Sequence, residues 1–462
     1  MYNKTKKIHF VGIGGIGMSG IAELLLNLGY EVSGSDLGDS AITRNLQSIG
    51  GTIHKGHDGR WVKGVDVVVT SSAIREDNPE VVTAIAAEIP VIQRAEMLAE
   101  LMRLKKFGIA IAGSHGKTST TSMVSWMMHV AGLDPTIVVG GKVDSLGGNA
   151  KLGEGEFLVA EADESDGSFL KLAPVLEVVT NIDLEHMDYY DDIDHIKDTF
   201  LEFIDKIPFY GAVIICLDDP NVADILPRIK KRKLTYGFTA QADLAAAEIV
   251  AADGRVQFAV MHHGERLGRI DLALAGKHNV YNALAAISVG LELEIPFATI
   301  SEALAGFQGV QRRMQLKGQG RGITVIDDYG HHPTEIRATL AAIKEGWPRK
   351  RLVVLFQPHR YSRTLALLEE FRTCFHQADY LVMTEIYAAS EQPDPKISGE
   401  ILLDEVIKHG QRKTKFASSV DDLAKALLPE LEDGDLVLTL GAGNIVRAGE
   451  ELVELLQEVP RT

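Results

Sequence analysis

The sequence predicts an α/β protein of three domains, each built around a mainly parallel sheet. The chain has 462 residues, which is too long for a single hydrophobic core. Short apolar runs alternate with helical segments along most of the chain, the pattern of parallel βαβ units. Two glycine-rich turns directly follow apolar runs, which is typical of the ligand-binding edge of such sheets. We place the domains at residues 1–106, 107–316 and 317–462.

The composition limits the kinds of partner that the protein binds. The net charge of −17 argues against nucleic acid, because gripping a phosphate backbone requires a dense basic surface. Cys216 and Cys374, the two cysteines, lie far apart, so neither a disulfide framework nor a cysteine metal site is expected. The uncharged stretch 8–22 is interrupted by glycines and is too short to cross a membrane. We expect a cytoplasmic protein with small-molecule partners and no membrane partner, acting as a monomer or weak homodimer.

The N-terminal domain begins with the first βαβ arm of a Rossmann-like sheet. Apolar runs predict strands at 8–11, 31–35 and 65–70, with a helix at 18–28 between the first two. The turn before that helix contains Gly12, Gly14, Gly15, Ile16 and Gly17, and glycine amides at a helix N-terminus bind phosphate groups. Asp36 ends the second strand, where a carboxylate can contact a ribose hydroxyl, and Ser71 and Ser72 end the third. A dinucleotide site is one interpretation of this arm, and the two serines are equally interpretable as helix caps.

The second glycine-rich turn, Gly113–Ser119, follows the apolar run 107–112 and indicates a nucleotide triphosphate site. Its backbone N–H groups point at phosphate oxygens, Lys117 supplies a point charge, and Thr118 offers a hydroxyl to Mg²⁺. The turn is shorter than the usual P-loop, because Ile111 stands where the first glycine would fall. A tight glycine turn before an ordinary helix is the competing interpretation. On the first interpretation the central domain is a P-loop ATPase domain, with a helix at 120–131.

Two acidic segments follow predicted strands of the central domain. Glu161 comes after the strand at 157–160, and a carboxylate in that position behind a phosphate loop is a ligand for Mg²⁺. His186 follows the strand at 176–180 and is either a second metal ligand or an ordinary hydrogen-bonding residue. The segments therefore predict at least one metal site beside the glycine turn.

The C-terminal domain is predicted to be Rossmann-like as well. Apolar runs indicate strands at 323–326, 352–356 and 436–440, separated by helical segments. The last strand ends in the glycine turn 441–444, which is either an anion site or a plain turn.

Six segments occur in an order that resembles the Mur ligase family, and the resemblance spans the whole chain. The segments are Gly113–Thr118, Glu161–Asp166, Asn181–Asp188, Gly276–Asn279, Gln311–Arg313 and Asp327–Pro333. Within the family, Val11–Gly20 and Phe356–Arg363 are most similar to the members that add L-alanine to UDP-N-acetylmuramate, at the first amino acid of the peptidoglycan stem. The resemblance implies ATP, UDP-N-acetylmuramate and L-alanine as substrates and Mg²⁺ as cofactor. It also implies that the N-terminal turn holds the UDP of the sugar nucleotide rather than NAD.

The resemblance assigns residues to each binding site. The ATP site would comprise Gly113, Ser114, His115, Gly116, Lys117, Thr118, Ser119, His278, Asn279, Arg312, Arg313, Asp327 and Asp328. The UDP-sugar site would comprise Gly12, Gly14, Gly15, Ile16, Gly17, Asp36, Ser71 and Ser72. The metal ions would be bound by Thr118, Glu161 and His186, and the amino acid by Tyr329, His331, Arg360 and Arg363. Lys117, His186 and His331 would be catalytic, with His331 either a base or only an orienting residue.

For two pairs of adjacent residues, the resemblance does not decide which member of the pair contacts the ligand. Either Arg312 or Arg313 would contact phosphate, and either Asp327 or Asp328 would contact ribose. Three other functions also remain possible for the whole chain: a different family member, including the ligase that attaches a recycled peptide to the same sugar nucleotide; a switch that uses ATP only to change shape; and an NAD-dependent dehydrogenase. The dehydrogenase leaves the lysine and the carboxylate of the central domain without a role.

Overall fold

A computed structural model describes residues 5–71, 73–143, 148–187, 189–389, 391–421 and 423–458. It contains three sheets, one in each predicted domain, and most of their strands are parallel. The α/β fold class with three sheet-containing domains is therefore confirmed. The N-terminal sheet and most of the central sheet lie in one compact unit, and the C-terminal sheet lies in a second unit together with residues 249–257 and 271–280. The domain limits at residues 106 and 316 remain predictions.

Within the described ranges, no helix is both long enough and apolar enough to cross a membrane.

The N-terminal domain is a five-stranded parallel sheet. Its strands are β1 (Lys7–Val11), β2 (Glu31–Asp36), β3 (Thr52–Lys55), β4 (Val67–Thr70) and β5 (Val91–Gln93), and its helices are α1 (Ile16–Asn27), α2 (Ala41–Ser48), α3 (Pro79–Ala86) and α4 (Arg94–Met102). The strand order is β3-β2-β1-β4-β5, so the order reverses between β1 and β4, where open α/β sheets bind ligands. The third predicted strand, at 65–70, corresponds to β4. β3 was not predicted, because it is short and carries no apolar run.

The central domain contains a ten-stranded sheet. Its strands are β6 (Phe107–Ala112), β7 (Thr136–Val143), β8 (Gly148–Lys151), β9 (Phe157–Glu161), β10 (Leu176–Val179), β11 (Ala212–Cys216), β12 (Lys233–Gly237), β13 (Leu244–Ala252), β14 (Arg255–His262) and β15 (Glu265–Leu272). Its helices are α5 (Lys117–Val130), α6 (Ile193–Ile204), α7 (Pro220–Ile225), α8 (Lys277–Glu292) and α9 (Phe297–Gly306). The strand order is β15-β14-β13-β12-β11-β10-β6-β9-β7-β8. Because β6 lies between β10 and β9 and is parallel to both, the carboxyl ends of these three strands meet at one edge.

The C-terminal domain contains a six-stranded sheet with one antiparallel edge strand. Its strands are β16 (Gln315–Gly320), β17 (Ile323–Asp328), β18 (Leu352–Phe356), β19 (Tyr380–Thr384), β20 (Thr414–Ala417) and β21 (Leu436–Leu440). Its helices are α10 (Pro333–Gly346), α11 (Tyr361–Ala366), α12 (Leu368–Phe371), α13 (Gly399–Lys408), α14 (Leu423–Leu427) and α15 (Val446–Glu458). The order is β16-β17-β21-β18-β19-β20, so the last strand is inserted between β17 and β18. The carboxyl ends of these three strands therefore meet at one edge.

Glu177 is a buried carboxyl group in the middle of the central sheet. It is paired in register with Ala110 of β6 and Val213 of β11, which both belong to the hydrophobic core. Its side chain is fully buried, and among the described residues neither of its oxygens has a hydrogen-bond partner. Burial raises the pKa of Glu177 well above its usual range. An unpaired polar group in such an environment costs about 1–3 kcal/mol of stability.

We expect the substitution Glu177→Leu to raise the melting temperature at about pH 8, by roughly 2–4 °C for each kcal/mol recovered. The pKa of Glu177 is higher in the folded chain than its ordinary value of 4.5, so folding takes up a proton and stability falls as the pH rises above that value. The gain should therefore shrink towards about pH 5. Calorimetry at both pH values measures it, with Glu202→Leu on α6 as the control, since the Glu202 side chain is 63% exposed. An unchanged melting temperature for Glu177→Leu at the higher pH would contradict the prediction.

Candidate active site

The glycine-rich turn of the central domain connects β6 to α5. Gly113 and Gly116 have φ angles of 123° and 83°, a backbone region that favours glycine. A Cβ atom on Gly113 would lie 2.1 Å from Oγ1 of Thr180, and one on Gly116 would lie 2.6 Å from Oδ1 of Asn282. Both positions therefore require glycine. The helix begins at Lys117 rather than at the predicted residue 120, because its first turn is polar and shows no apolar helical pattern.

Residues that follow β10 hold this turn in place. The backbone N–H of His115 donates to Oδ1 of Asn181 at 2.8 Å, and the hydroxyl of Thr180 donates to the carbonyl oxygen of His115 at 2.6 Å. Nε2 of His115 lies 2.9 Å from a carboxylate oxygen of Asp183, whose backbone N–H donates to the Ser114 hydroxyl at 2.8 Å. The side chains of Ser114 and His115 therefore shape the turn. The first N–H groups of α5 are left to meet phosphate oxygens.

The ammonium group of Lys117 lies at the centre of the turn. It donates to the carbonyl oxygens of Gly113 and Ser114 at 2.7 and 3.1 Å, and to Oε1 of Glu164 at 2.7 Å. Burial lowers the pKa of Lys117, but the carboxylates of Glu164 and Glu161 outweigh it and raise the pKa above its usual range. Lys117 is therefore charged at physiological pH, as a contact with phosphate requires.

Glu161 ends β9 beside the first turn of α5. The hydroxyl of Thr118 lies 3.0 Å from each oxygen of the Glu161 carboxylate, and the backbone N–H of Gly140 donates to Oε2 at 2.7 Å. Ser119 is the next residue of α5 and is buried. The structure thus places the two predicted oxygen ligands, Thr118 and Glu161, side by side, and oxygen is the ligand type that Mg²⁺ prefers.

A second group of candidate metal ligands surrounds His186. Ligand atoms of Glu164, Glu185 and His186 all lie within 4.8 Å of one another. Oε2 of Glu164 is buried and has no hydrogen-bond partner in the part of the chain that the structure describes, and burial raises the pKa of Glu164 to about 7. An unsatisfied carboxylate oxygen close to two further ligands fits a divalent cation. Glu164 and Glu185 were not among the predicted metal ligands, although both lie in the two acidic segments that follow β9 and β10.

The N-terminal glycine turn is held by the end of β2. The backbone N–H of Gly14 donates to Oδ2 of Asp36 at 2.9 Å, and the N–H groups of Gly12 and Ile13 donate to the carbonyl oxygen of Ser35 at 2.8 and 2.9 Å. Gly12 has a φ angle of 77°. The carboxylate of Asp36 therefore positions the turn.

The first turn of α1 lies at the point where the strand order reverses. Gly15 is the N-cap residue of α1, and Ile16 and Gly17 are its first two residues. The side chain of Ile16 is exposed. Ser71 directly follows β4, the strand on the other side of this point. Ser72 lies outside the described residues.

Asp327 and Arg312 form an ion pair at the end of β17. Nε of Arg312 donates to Oδ2 of Asp327 at 3.1 Å, and its Nη2 donates to the carbonyl oxygen of Gly441 at 2.7 Å. The hydroxyl of Thr439 donates to Oδ1 of Asp327 at 2.6 Å. Asp327 is fully buried with both oxygens engaged, so the pair organises the glycine turn that follows β21.

Asp328 and Arg313 have other partners. Asp328 accepts hydrogen bonds from the backbone N–H groups of Met314 and Gly330, each at 2.8 Å. Burial raises the pKa of Asp328 to about 6, against the opposing effect of Arg313. The Arg313 guanidinium donates to Glu335 at 3.3 Å. The two arginines and the two aspartates are therefore not interchangeable, although the roles of each towards a ligand remain predictions.

Three of the residues predicted to bind the amino acid lie around His359, which was not among the predicted site residues. The rings of His331 and His359 are 5.8 Å apart, and Nη1 of Arg363 lies 3.2 Å from Nδ1 of His359. Burial, helped by His331, Arg363 and Arg360, lowers the pKa of His359 to about 3, so this imidazole is neutral. Arg360 has a φ angle of 69°, and its buried Nε has no hydrogen-bond partner among the described residues. Tyr329 completes the group, with its ring 5.6 Å from that of His331.

His278 and Asn279 lie in the first turn of α8. The amide of Asn279 donates to the carbonyl oxygen of Ala275 at 2.7 Å and lies 3.2 Å from Nε2 of His278. Burial, with a smaller effect of Arg313, lowers the pKa of His278 to about 4. A neutral imidazole beside an amide offers both donors and acceptors, which suits a heterocyclic base.

A charged lysine, a hydroxyl and several carboxylates around a phosphate loop are what an enzyme needs to transfer the γ-phosphoryl group of ATP. This is the class that the fold and the site define. The family profiles agree: the Mur ligase family catalytic domain matches residues 7–106, the Mur ligase middle domain matches 111–290, and the Mur ligase glutamate ligase domain matches 312–443. The chain therefore belongs to the Mur ligase family, and with it to the ATP-dependent ligases.

Individual relatives and solved structures show which members of the family this chain resembles. The chain is 69% identical over 456 residues to a UDP-N-acetylmuramate--L-alanine ligase from Desulfotalea psychrophila, covering 99% of each chain. It is 60% identical to the Geobacter sulfurreducens protein of the same name, also over 99% of each. The crystal structure of a UDP-N-acetylmuramate-alanine ligase from Thermotoga maritima superimposes with a TM-score of 0.84 at 30% identity, over 98% of this chain and 99% of that one. A murein peptide ligase from Psychrobacter arcticus gives a TM-score of 0.73 at 25% identity, over 99% of this chain and 100% of that one.

Proposed function

We propose that the protein joins L-alanine to the lactyl carboxylate of UDP-N-acetylmuramate at the expense of ATP, a cytoplasmic step of peptidoglycan precursor synthesis. The observation that carries the proposal is the 69% identity, over nearly the whole chain, to a relative named for this reaction. The lysine and carboxylates around the glycine turn support it, because a carboxylate is a poor electrophile and must be activated before an amine attacks it.

The reaction proceeds in two steps. The lactyl carboxylate attacks the γ-phosphorus of ATP and releases ADP, which leaves an acyl phosphate. The amine of L-alanine then attacks the acyl carbon, loses a proton and displaces inorganic phosphate. Lys117 neutralises charge on the phosphoryl oxygens and holds ATP in line, and such positioning is worth up to about 7–11 kcal/mol of the barrier.

Two groups of residues suit divalent cations. Thr118 and Glu161 would hold one Mg²⁺ beside the phosphates, and His186 with Glu164 and Glu185 would hold a second. When bound, Mg²⁺ would supply positive charge to the phosphate oxygens.

The residues around His359 in the C-terminal domain would hold the amino acid. Arg360 and Arg363 suit the carboxylate of L-alanine, because a guanidinium can form two parallel hydrogen bonds to it. The unsatisfied Nε of Arg360 supports this role, since a buried donor in a native protein usually has a partner. His331 lies beside the neutral His359 and would either accept the proton of the amine or orient it.

The test is the release of phosphate from Mg-ATP in the presence of UDP-N-acetylmuramate and one amino donor, with mass analysis of the product. L-alanine is compared with glycine, L-serine, D-glutamate and the stem tripeptide. We expect sugar-dependent release with L-alanine clearly preferred, and a product heavier by one alanine residue. Coupling only to the tripeptide would move the protein to the reaction of the murein peptide ligases. Release without any sugar nucleotide would instead indicate a nucleotide switch.

A further inference from the structure

Two exposed aromatic side chains lie at the edge of the central sheet that is opposite the candidate ATP site. The strands β6, β10, β11 and β12 are parallel, so their amino ends share one edge and the glycine turn after β6 lies at the other. Phe209 and Tyr210 lie just before β11, at the amino edge. They are 95% and 57% exposed, and Phe209 is the most exposed of the large hydrophobic side chains in the part of the chain that the structure describes. Such exposure marks a candidate contact surface.

The two aromatic residues occupy the central positions of a β-turn. The backbone N–H of Gly211 donates to the carbonyl oxygen of Pro208 at 3.0 Å, which closes the turn. A Cβ atom on Gly211 would lie 2.1 Å from the carbonyl oxygen of Val175, so the turn packs closely against the residue before β10. The rings of Phe209 and Tyr210 lie 5.3 Å apart in an edge-to-face arrangement. The fold therefore holds both rings in the solvent on a closed and packed turn.

A basic segment lies beside this turn, at the amino end of β12. Residues 228–233 contain five basic side chains, which are Arg228, Lys230, Lys231, Arg232 and Lys233. β11 and β12 are adjacent and parallel, and the ammonium group of Lys231 donates to the carbonyl oxygen of Ile207 at 2.6 Å. The turn 208–211 and the segment 228–233 therefore form one surface, which we call the basic–aromatic edge.

Part of the positive charge of the basic–aromatic edge is not neutralised by carboxylates. The bases that are paired are Arg228 with Asp198, Arg232 with Glu292 and Lys206 with Glu202. Lys231 and Lys233 donate to backbone carbonyl oxygens instead, and Lys230 is exposed and has no ion-pair partner among the residues that the structure describes. Asp205, an exposed acid at the end of α6, opposes these three lysines in part. A local surplus of positive charge thus remains in a chain whose net charge is −17.

We propose that the basic–aromatic edge docks the protein reversibly on a bilayer surface that contains anionic phospholipids. Unpaired lysines are attracted to anionic headgroups, and exposed aromatic rings partition into the interface just below those headgroups. The inference goes beyond the proposed function and does not depend on it. It concerns contact with the bilayer surface rather than a membrane span, and it revises the expectation that the protein has no membrane partner.

The kind of charge at this edge favours lipid over a protein partner. The unpaired bases are lysines, and lysine is depleted in protein interfaces, where arginine is enriched. A two-fold contact with a second copy, centred here, would bring two sets of unpaired lysines together and would be unfavourable. Docking by the amino edge also leaves the glycine turn after β6 on the side away from the bilayer, where it stays open to small-molecule substrates.

Co-sedimentation of the full chain with vesicles tests the proposal. One vesicle type is phosphatidylcholine alone, and the other is an equal mixture of phosphatidylcholine and phosphatidylglycerol. We expect binding to the mixed vesicles only, with a partition coefficient that falls by about 10-fold or more when the salt rises from about 0.05 to about 0.5 M. The double variant Phe209→Ser/Tyr210→Ser and the single variant Lys230→Glu should each lower that coefficient by about 10-fold or more, because the first removes the inserted rings and the second reverses an unpaired charge.

Ile85→Ser and Lys63→Glu are the matched controls, since both side chains are exposed on the N-terminal domain. They should bind the mixed vesicles as the wild type does. All of these variants should keep the wild-type melting temperature and the wild-type phosphate release in the absence of vesicles, because the altered side chains are exposed and lie away from the ATP site.

The variant Phe209→Trp gives an independent readout of insertion. Its fluorescence should be quenched by brominated phosphatidylcholine in the mixed vesicles, and bound protein without quenching would overturn the inference. Absence of wild-type binding to the mixed vesicles at low salt would overturn it too, as would wild-type binding by both Phe209→Ser/Tyr210→Ser and Lys230→Glu. A dimer in ultracentrifugation that Phe209→Ser/Tyr210→Ser dissociates would assign the edge to a second copy and overturn it as well.

Discussion

Replacing Lys117 by methionine is expected to lower kcat by about 10³-fold or more. Methionine keeps most of the apolar stem and removes the charge that is closest to the phosphate-binding turn. The ammonium already lies within hydrogen-bond distance of two turn carbonyls, at 2.7 and 3.1 Å, so little rearrangement is needed for it to meet ATP. Because the charge acts on the transferred phosphoryl group, kcat should fall far more than the KM for ATP rises. Single-turnover phosphate release measures this loss directly.

The stability of the same variant needs a separate control. Lys117→Met leaves the buried carboxyl of Glu164 without its ammonium partner, and breaking a buried pair in this way costs about 3–5 kcal/mol. The double variant Lys117→Met/Glu164→Gln should recover much of the melting temperature and none of the activity. Lys106→Met, which breaks an exposed ion pair with Glu156, should behave as the wild type. Because Glu164 is also a candidate cation ligand, Glu164→Gln alone is the reference for turnover, and a double variant as active as Glu164→Gln would show that Lys117 serves only the fold.

The parts of the fold that could be predicted are those set by local sequence. The strands β6, β18 and β21 have the predicted bounds, because each is a continuous apolar run buried on both faces. The glycine turn before α5 could also be predicted, because the positive φ angles of Gly113 and Gly116 leave few alternatives to glycine. The strands β13 to β15 were missed. None of them is a continuous buried run: the second half of β13 alternates half-buried and exposed residues, and β14 and β15 each mix exposed and buried positions, which is a weaker signal.

Residues of the candidate site could be predicted only where one continuous segment of the chain contains the complete binding feature. Glu164 became a candidate ligand because the fold brings the loop after β9 next to the segment after β10, and no local sequence pattern shows this approach. His359 likewise depends on the approach of His331. The neighbours Asp327 and Asp328 illustrate a different limit: successive residues of a strand point to opposite faces, so composition alone cannot tell which one meets a ligand. Here the first pairs with Arg312 and the second accepts two backbone N–H groups.

The substitution Glu161→Gln is expected to lower kcat by about 10²-fold or more and to weaken divalent-cation binding by about 10-fold or more. Glutamine has nearly the shape of glutamate, so the fold should persist. It loses the negative charge, however, and its NH₂ group cannot accept the hydrogen bond that Gly140 now donates at 2.7 Å. The measurement is a titration of Mn²⁺, read by electron paramagnetic resonance, in the presence of a non-hydrolysable ATP analogue.

Two comparisons make the Glu161 result specific. Glu156→Gln changes an exposed glutamate of the same segment and should leave both cation binding and kcat unchanged. Thr118→Ser keeps the hydroxyl that lies 3.0 Å from each carboxylate oxygen, whereas Thr118→Val removes it, so the serine variant should bind Mn²⁺ more tightly than the valine variant. If Glu161→Gln bound Mn²⁺ as the wild type does while losing activity, the carboxylate would act by holding α5 and Gly140 in place. A loss of both properties, shared by Thr118→Val, would identify the pair as the cation site beside the phosphates.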